Sequence, residues 1–92
     1  MNVTTKGTFK RDVSRVKTHT LLVALSEKIV QIETAPTLGS ITGLKLLRGY
    51  TTHYRIQVRT VEDSYRIGAI IRGNSIRLVR FLPRNNIYKN FP

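Results

Sequence analysis

The residues of this chain best suited to chemistry are arginines and tyrosines. The stretch R-F-L-P-R-N-N-I-Y-K-N-F-P, Arg80 to Pro92, sets Arg80, Arg84 and Lys89 among Phe81, Leu82, Ile87, Tyr88 and Phe91. Upstream, His53-Tyr54-Arg55-Ile56-Gln57-Val58-Arg59 and Tyr65-Arg66-Ile67-Gly68 alternate apolar and cationic positions. Arginine forks match phosphate oxygens in pairs. Tyrosine stacks on a base, donates a hydrogen bond, or exchanges a proton when cations favour its phenolate. This set suits RNA cleavage without metal, because RNA carries its own nucleophile, the 2′-OH. The protein then has to align that hydroxyl with the phosphate, stabilise the added negative charge and manage two protons.

Other chemistries lack their residues. There is no cysteine, and His19 and His53 are far apart in sequence. The five carboxylates offer neither a metal cage nor a catalytic pair. No G-x-S-x-G, H-E-x-x-H, P-loop, G-x-G-x-x-G or RNP1 pattern occurs. No cofactor and no metal are expected. No apolar run reaches membrane-spanning length and Met1 to Lys10 has no secretory h-region, so a cytoplasmic protein without a membrane role is expected.

Charge points to the partner class. Sixteen Lys and Arg against five Asp and Glu give a net charge of +11. No acid follows Asp63, whereas Arg66, Arg72, Arg77, Arg80, Arg84 and Lys89 do. Such a segment attracts nucleic acid, anionic lipid or an acidic protein. The plainer reading is a solvated basic surface, but this segment has the alternation of strands and not the composition of a loose tail.

These groups need a scaffold, and 92 residues favour a single domain, 1–92, with a modest core. Val3 to Thr5 reads as a short strand closed by Gly7. Phe9, Val13 and Val16 lie at helical spacing. Thr18 or Thr20 can cap a second helix whose stripe is Leu22, Leu25, Ile29 and Ile32, stopped by Pro36. Thr37 to Tyr50 reads as a glycine-containing connector. Three antiparallel strands follow: His53–Arg59, Tyr65–Arg72, and Ser75–Leu82 after a Gly73-Asn74 hairpin turn, with Pro83 ending the last. The expected class is α+β: two N-terminal helices on one face of a small curved antiparallel sheet, made of the short N-terminal strand plus three C-terminal strands. The other face would display Arg55, Gln57, Arg59 and Arg66. Ordinary polar-out alternation explains the polarity of that face but not its choice of arginine. Ile87 and Phe91 would dock the tail on the sheet and hold Arg84 and Tyr88 over Arg66. Arg55, Gln57, Arg59, Arg80 and Lys89 are the expected RNA-binding residues.

The segments Leu46-Leu47-Arg48-Gly49-Tyr50, Tyr54-Arg55-Ile56-Gln57-Val58, Tyr65-Arg66-Ile67-Gly68 and Arg84-Asn85-Asn86-Ile87-Tyr88-Lys89-Asn90-Phe91-Pro92 resemble the RelE/ParE superfamily of bacterial type II toxins. The resemblance implies an mRNA endonuclease of the RelE type, acting in the ribosomal A site and leaving 2′,3′-cyclic phosphate and 5′-hydroxyl ends. It also implies a cognate antitoxin, acidic where it meets the toxin, in a hetero-oligomer. By position, Arg66 is similar to the family's arginine that stabilises the transition state. Arg84 is similar to its phosphate-binding or proton-donating arginine, and Tyr88 to its nucleotide-orienting or proton-transferring tyrosine. These three are the candidate catalytic residues. Two positions depart from the pattern. Pro83 stands where many relatives have histidine, and Gln57 where RelE has a lysine proposed as general base. The proton role therefore falls to Tyr88, with His53 as rival. A ParE-like DNA gyrase inhibitor and a non-catalytic RNA-binding or ribosome-associated module are the alternative readings.

Overall fold

A computed structural model describes residues Met1–Pro92. The chain forms β1 (Asn2–Thr5), α1 (Gly7–Ser14) and α2 (His19–Thr34), then a single 3-10 turn (Leu38–Ser40). β2 (Leu44–Leu46), β3 (His53–Arg59), β4 (Ser64–Arg72), β5 (Ser75–Pro83) and α3 (Arg84–Asn90) follow. The α+β class is as the sequence predicts. The sheet, however, is five-stranded and mixed, in the order β1-β5-β4-β3-β2, because β1 runs parallel to β5 along its outer edge. Two elements lie where the sequence predicts none. β2 sits inside the connector, and its three residues are too few to show a period. α3 occupies the tail, where Arg84, Ile87, Tyr88 and Phe91 have helical spacing hidden by two asparagines and a start directly after Pro83.

Alternation builds the core. Ile56 and Val58 of β3, Ile67, Ala69 and Ile71 of β4, and Ile76, Leu78 and Phe81 of β5 are buried on one sheet face against Phe9, Leu21, Leu25 and Ile32 of the helices. The α2 stripe begins at Leu21, not Leu22, which is only half-buried. Thr18 takes the N-cap position of α2 without a side-chain cap bond. The Gly73-Asn74 turn forms as expected between β4 and β5, with Gly73 at φ 58°, a conformation that favours glycine.

One irregularity redirects a residue. Gly68 pairs with Arg80 but Ala69 pairs with Leu78, so β5 carries Val79 as an extra residue. The bulge brings Phe81 into the core row beside Ile67, and Arg80 just before it reaches α1. There its Nε donates to Asp12 Oδ2 at 2.7 Å and its Nη2 to Oδ1 at 3.2 Å. The Phe81 backbone N–H donates to the same Oδ2 at 3.0 Å, and the Thr8 hydroxyl donates to the Val79 carbonyl at 2.6 Å. Asp12 is buried, at 3 % exposure. These bonds clamp α1 to β5.

Candidate functional site

The sheet face opposite the core carries the site. Along it Gln57 of β3 stands opposite Arg66 of β4, and Arg55 stands opposite Gly68. α3 lies across this face, seated by Ile87 and Phe91, which are 1 % and 4 % exposed. The seat depends on Gly68. A Cβ built there would lie 2.5 Å from Phe91 Cγ, so the ring occupies the space a side chain would take. Beyond Gly68, the Phe91 ring centroid is 5.7 Å from that of His53, which is 4.8 Å from that of Tyr50. His53 Nδ1 lies 3.1 Å from the Thr52 hydroxyl.

This seat gives a direct stability test. Gly68→Ala is expected to cost about 1–3 kcal/mol, because a methyl group must displace a packed ring. Phe91→Ala removes the obstacle. In a double-mutant cycle read by urea denaturation, the loss in the double variant should therefore fall well short of the sum of the singles. Additive losses would show that Phe91 does not rest on Gly68.

Seated in this way, α3 brings Arg84 and Tyr88, one helical turn apart, to Arg66. Arg66 is 6 % exposed, a buried cation. Its Nη1 donates to the Ser64 hydroxyl at 3.1 Å and to the Tyr65 carbonyl at 3.2 Å. Its Nε is buried with no partner, as is that of Arg55. Burial pushes the Arg66 pKa below the usual guanidinium range. Repulsion from Arg55 and Arg84 adds to this, and the neighbouring Tyr88 hydroxyl opposes it. The molecule's one ion pair is Arg80–Asp12, so no carboxylate neutralises the cluster. Desolvated guanidinium groups without an anion are costly, and an anionic ligand with several oxygens would satisfy them.

The structure thus gathers Arg55, Gln57, Arg66, Arg84 and Tyr88. Tyr88 is 57 % exposed, so it is no core aromatic. Arg59 lies apart, on the rim of a cleft of about 280 Å³ with Lys28, Thr42, Gly43 and Gln57. In that cleft Lys28 Nζ donates to Gln31 Oε1 and to both oxygens of Thr42 at 2.9–3.0 Å, and burial lowers its pKa. Lys89 is exposed on α3. Arg80 does not join the site, because Asp12 holds it. Sequence reasoning passed over Gly68 and Asp12. Gly68 shows itself only as a gap in β4's alternation, and Asp12 as an acid on the apolar side of α1. Nowhere do three His, Cys, Asp or Glu side chains come together as metal ligands would. No helix is long and apolar enough to cross a membrane.

Fold and site define a basic α+β protein in which two helices cover one sheet face and a short C-terminal helix crosses a cationic opposite face. No family model matches the chain. It is 34 % identical to the toxin RelE3 of Methanocaldococcus jannaschii over an alignment of 96 residues that covers all of both chains. The chain therefore belongs to the RelE toxin family. Its fold matches the RelB–RelE antitoxin–toxin complex of Methanococcus jannaschii with a TM-score of 0.73 and 27 % identity, over 97 % of this chain and 99 % of that one. It matches the intact E. coli RelBE complex with a TM-score of 0.68 and 15 % identity, over 89 % and 94 % of the two chains.

Proposed function

We propose that this protein is the toxin of a type II toxin–antitoxin pair and inhibits translation by cleaving mRNA on the ribosome. The observation that carries the reading is the buried Arg66, set among Arg55 and Arg84 with no carboxylate to neutralise it. In this mechanism the RNA 2′-OH loses its proton to Tyr88 and attacks the adjacent phosphorus. Arg66 and Arg84 stabilise the charge that builds on the non-bridging oxygens. The 5′-oxygen leaves as a hydroxyl by taking a proton from solvent water, giving 2′,3′-cyclic phosphate and 5′-hydroxyl ends. Arg55 and Gln57 position the phosphodiester from the neighbouring strand.

The test is purified protein added to translating ribosomes, with RNA ends mapped by their requirement for phosphorylation before ligation. New 5′-hydroxyl ends within codons, formed equally with and without EDTA, are the expected result. Intact mRNA together with inhibition of DNA gyrase would replace this reading with the ParE-like one.

An antitoxin partner is supported by the two RelB-bound relatives and by the charge of +11. The partner's acidic segment would lie over the open face and exclude RNA. Co-purification from the native operon, with binding that weakens as salt rises, checks this.

A further inference from the structure

The open face continues past Phe91. His53, Ile70, Arg77 and Thr4 stand side by side across β3, β4, β5 and β1. The next row holds Arg72 opposite Ser75. Thr4, Ile70, Arg72, Ser75, Ile76 and Arg77 line a depression of about 300 Å³. By strand alternation Ile76 points to the core and gives the depression only its backbone, while the other five side chains share the open face. The depression therefore has an apolar floor at Ile70, two hydroxyls, two guanidinium groups and no acid.

The two arginines are diagonal neighbours on adjacent antiparallel strands, about 7–8 Å apart at the backbone. Both are exposed and neither has an ion-pair partner. Two guanidinium groups at this spacing can both reach one anionic group placed between them. Arg72 lies six residues along β4 from Arg66, or roughly 20 Å of strand, with the Phe91 ring over Gly68 between them.

We propose that this depression is a second RNA subsite. Arg72 and Arg77 hold a backbone phosphate several nucleotides from the cleaved bond, Thr4 and Ser75 add hydrogen bonds, and Ile70 takes the face of a base. The inference rests on the ribonuclease reading above and assigns the same strand to both ends of one face. Its role is affinity and not chemistry, so Arg72 and Arg77 are positioning residues.

Binding of uncleavable 2′-O-methyl RNAs of about two and about twelve nucleotides tests it, because only the longer one spans the roughly 20 Å from Arg66 to Arg72. Wild-type protein should bind the longer RNA more tightly. In Arg72→Ala/Arg77→Ala that advantage should fall roughly tenfold, and the salt slope should drop by about 0.7, the share of the one phosphate the pair holds on a single strand. At saturating protein, cleavage of mRNA on translating ribosomes should keep its wild-type rate, and Arg72→Lys/Arg77→Lys should restore part of the affinity. Equal binding of both RNAs by wild type, or an unchanged length advantage in the alanine variant, overturns the subsite. Loss of affinity for polyglutamate with RNA binding intact also overturns it and assigns the depression to an acidic protein. Cleavage of mRNA with no length effect sinks the subsite alone. A length effect in a protein that cuts no RNA leaves the subsite standing and sinks the nuclease.

Discussion

Arg66→Ala is expected to lower mRNA cleavage by about 10²–10³-fold, the usual cost of removing one preorganised donor to a developing oxyanion. The same change should leave stability unchanged or raise it. In the folded protein Arg66 is desolvated, repelled by Arg55 and Arg84, and left with a partnerless Nε. Its two hydrogen bonds, to Ser64 and to the Tyr65 carbonyl, repay part of that cost. A folded state that holds a cation against its own electrostatics gains when the cation is removed, and this opposition of stability and activity is common at functional sites. Arg66→Lys should recover little, because a point charge does not reproduce a fork that reaches two oxygens. Arg84→Ala should also impair cleavage, and less severely if solvent replaces this exposed side chain. Urea denaturation and single-turnover cleavage, measured on the same preparations, separate the two effects. Wild-type cleavage by a folded Arg66→Ala protein would end the assignment.

The arginines of this face are legible in the sequence because strands write their faces with a period of two. His53–Arg59 and Tyr65–Arg72 alternate so regularly that Arg55, Gln57 and Arg66 share a surface before any coordinates are known. What hides is whatever depends on a break in the period. The bulge at Val79 shifts the alternation of β5 and brings Phe81 into the core, while Arg80, which reads as one more RNA contact, is held by a buried carboxylate on α1. Gly68 reads as a weak point in a strand and proves to be the place where Phe91 enters the sheet face. α3 hides for another reason. Its seven residues bury one side chain, so tertiary seating and not local propensity makes it helical. The parallel pairing of β1 with β5 joins the two ends of the chain, a contact no local pattern reports. The tail was nevertheless readable in its essentials. Ile87 and Phe91 are its anchors, and Arg84 and Tyr88 are what they hold.

Tyr88→Phe keeps the ring and its stacking surface and removes only the hydroxyl, so it isolates the proton step. A general base contributes about 10²–10⁴-fold, and a loss in that range is expected in single-turnover cleavage. A tyrosine accepts a proton only as the phenolate, whose free pKa is about 10. The residues around Arg66 favour this assignment: Tyr88 is beside the guanidinium, together with Arg55 and Arg84. Gln57, directly opposite Arg66, has no basic group. His53 is the rival, two residues beyond Arg55 on the same face. Its ring, however, packs between Tyr50 and Phe91 and meets Thr52 at Nδ1. His53→Ala should accordingly loosen the seat of α3 and lower the denaturation midpoint, with any loss of cleavage following the loss of structure. Full single-turnover activity in Tyr88→Phe, with cleavage lost in a well-folded His53→Ala protein, would transfer the proton to the histidine.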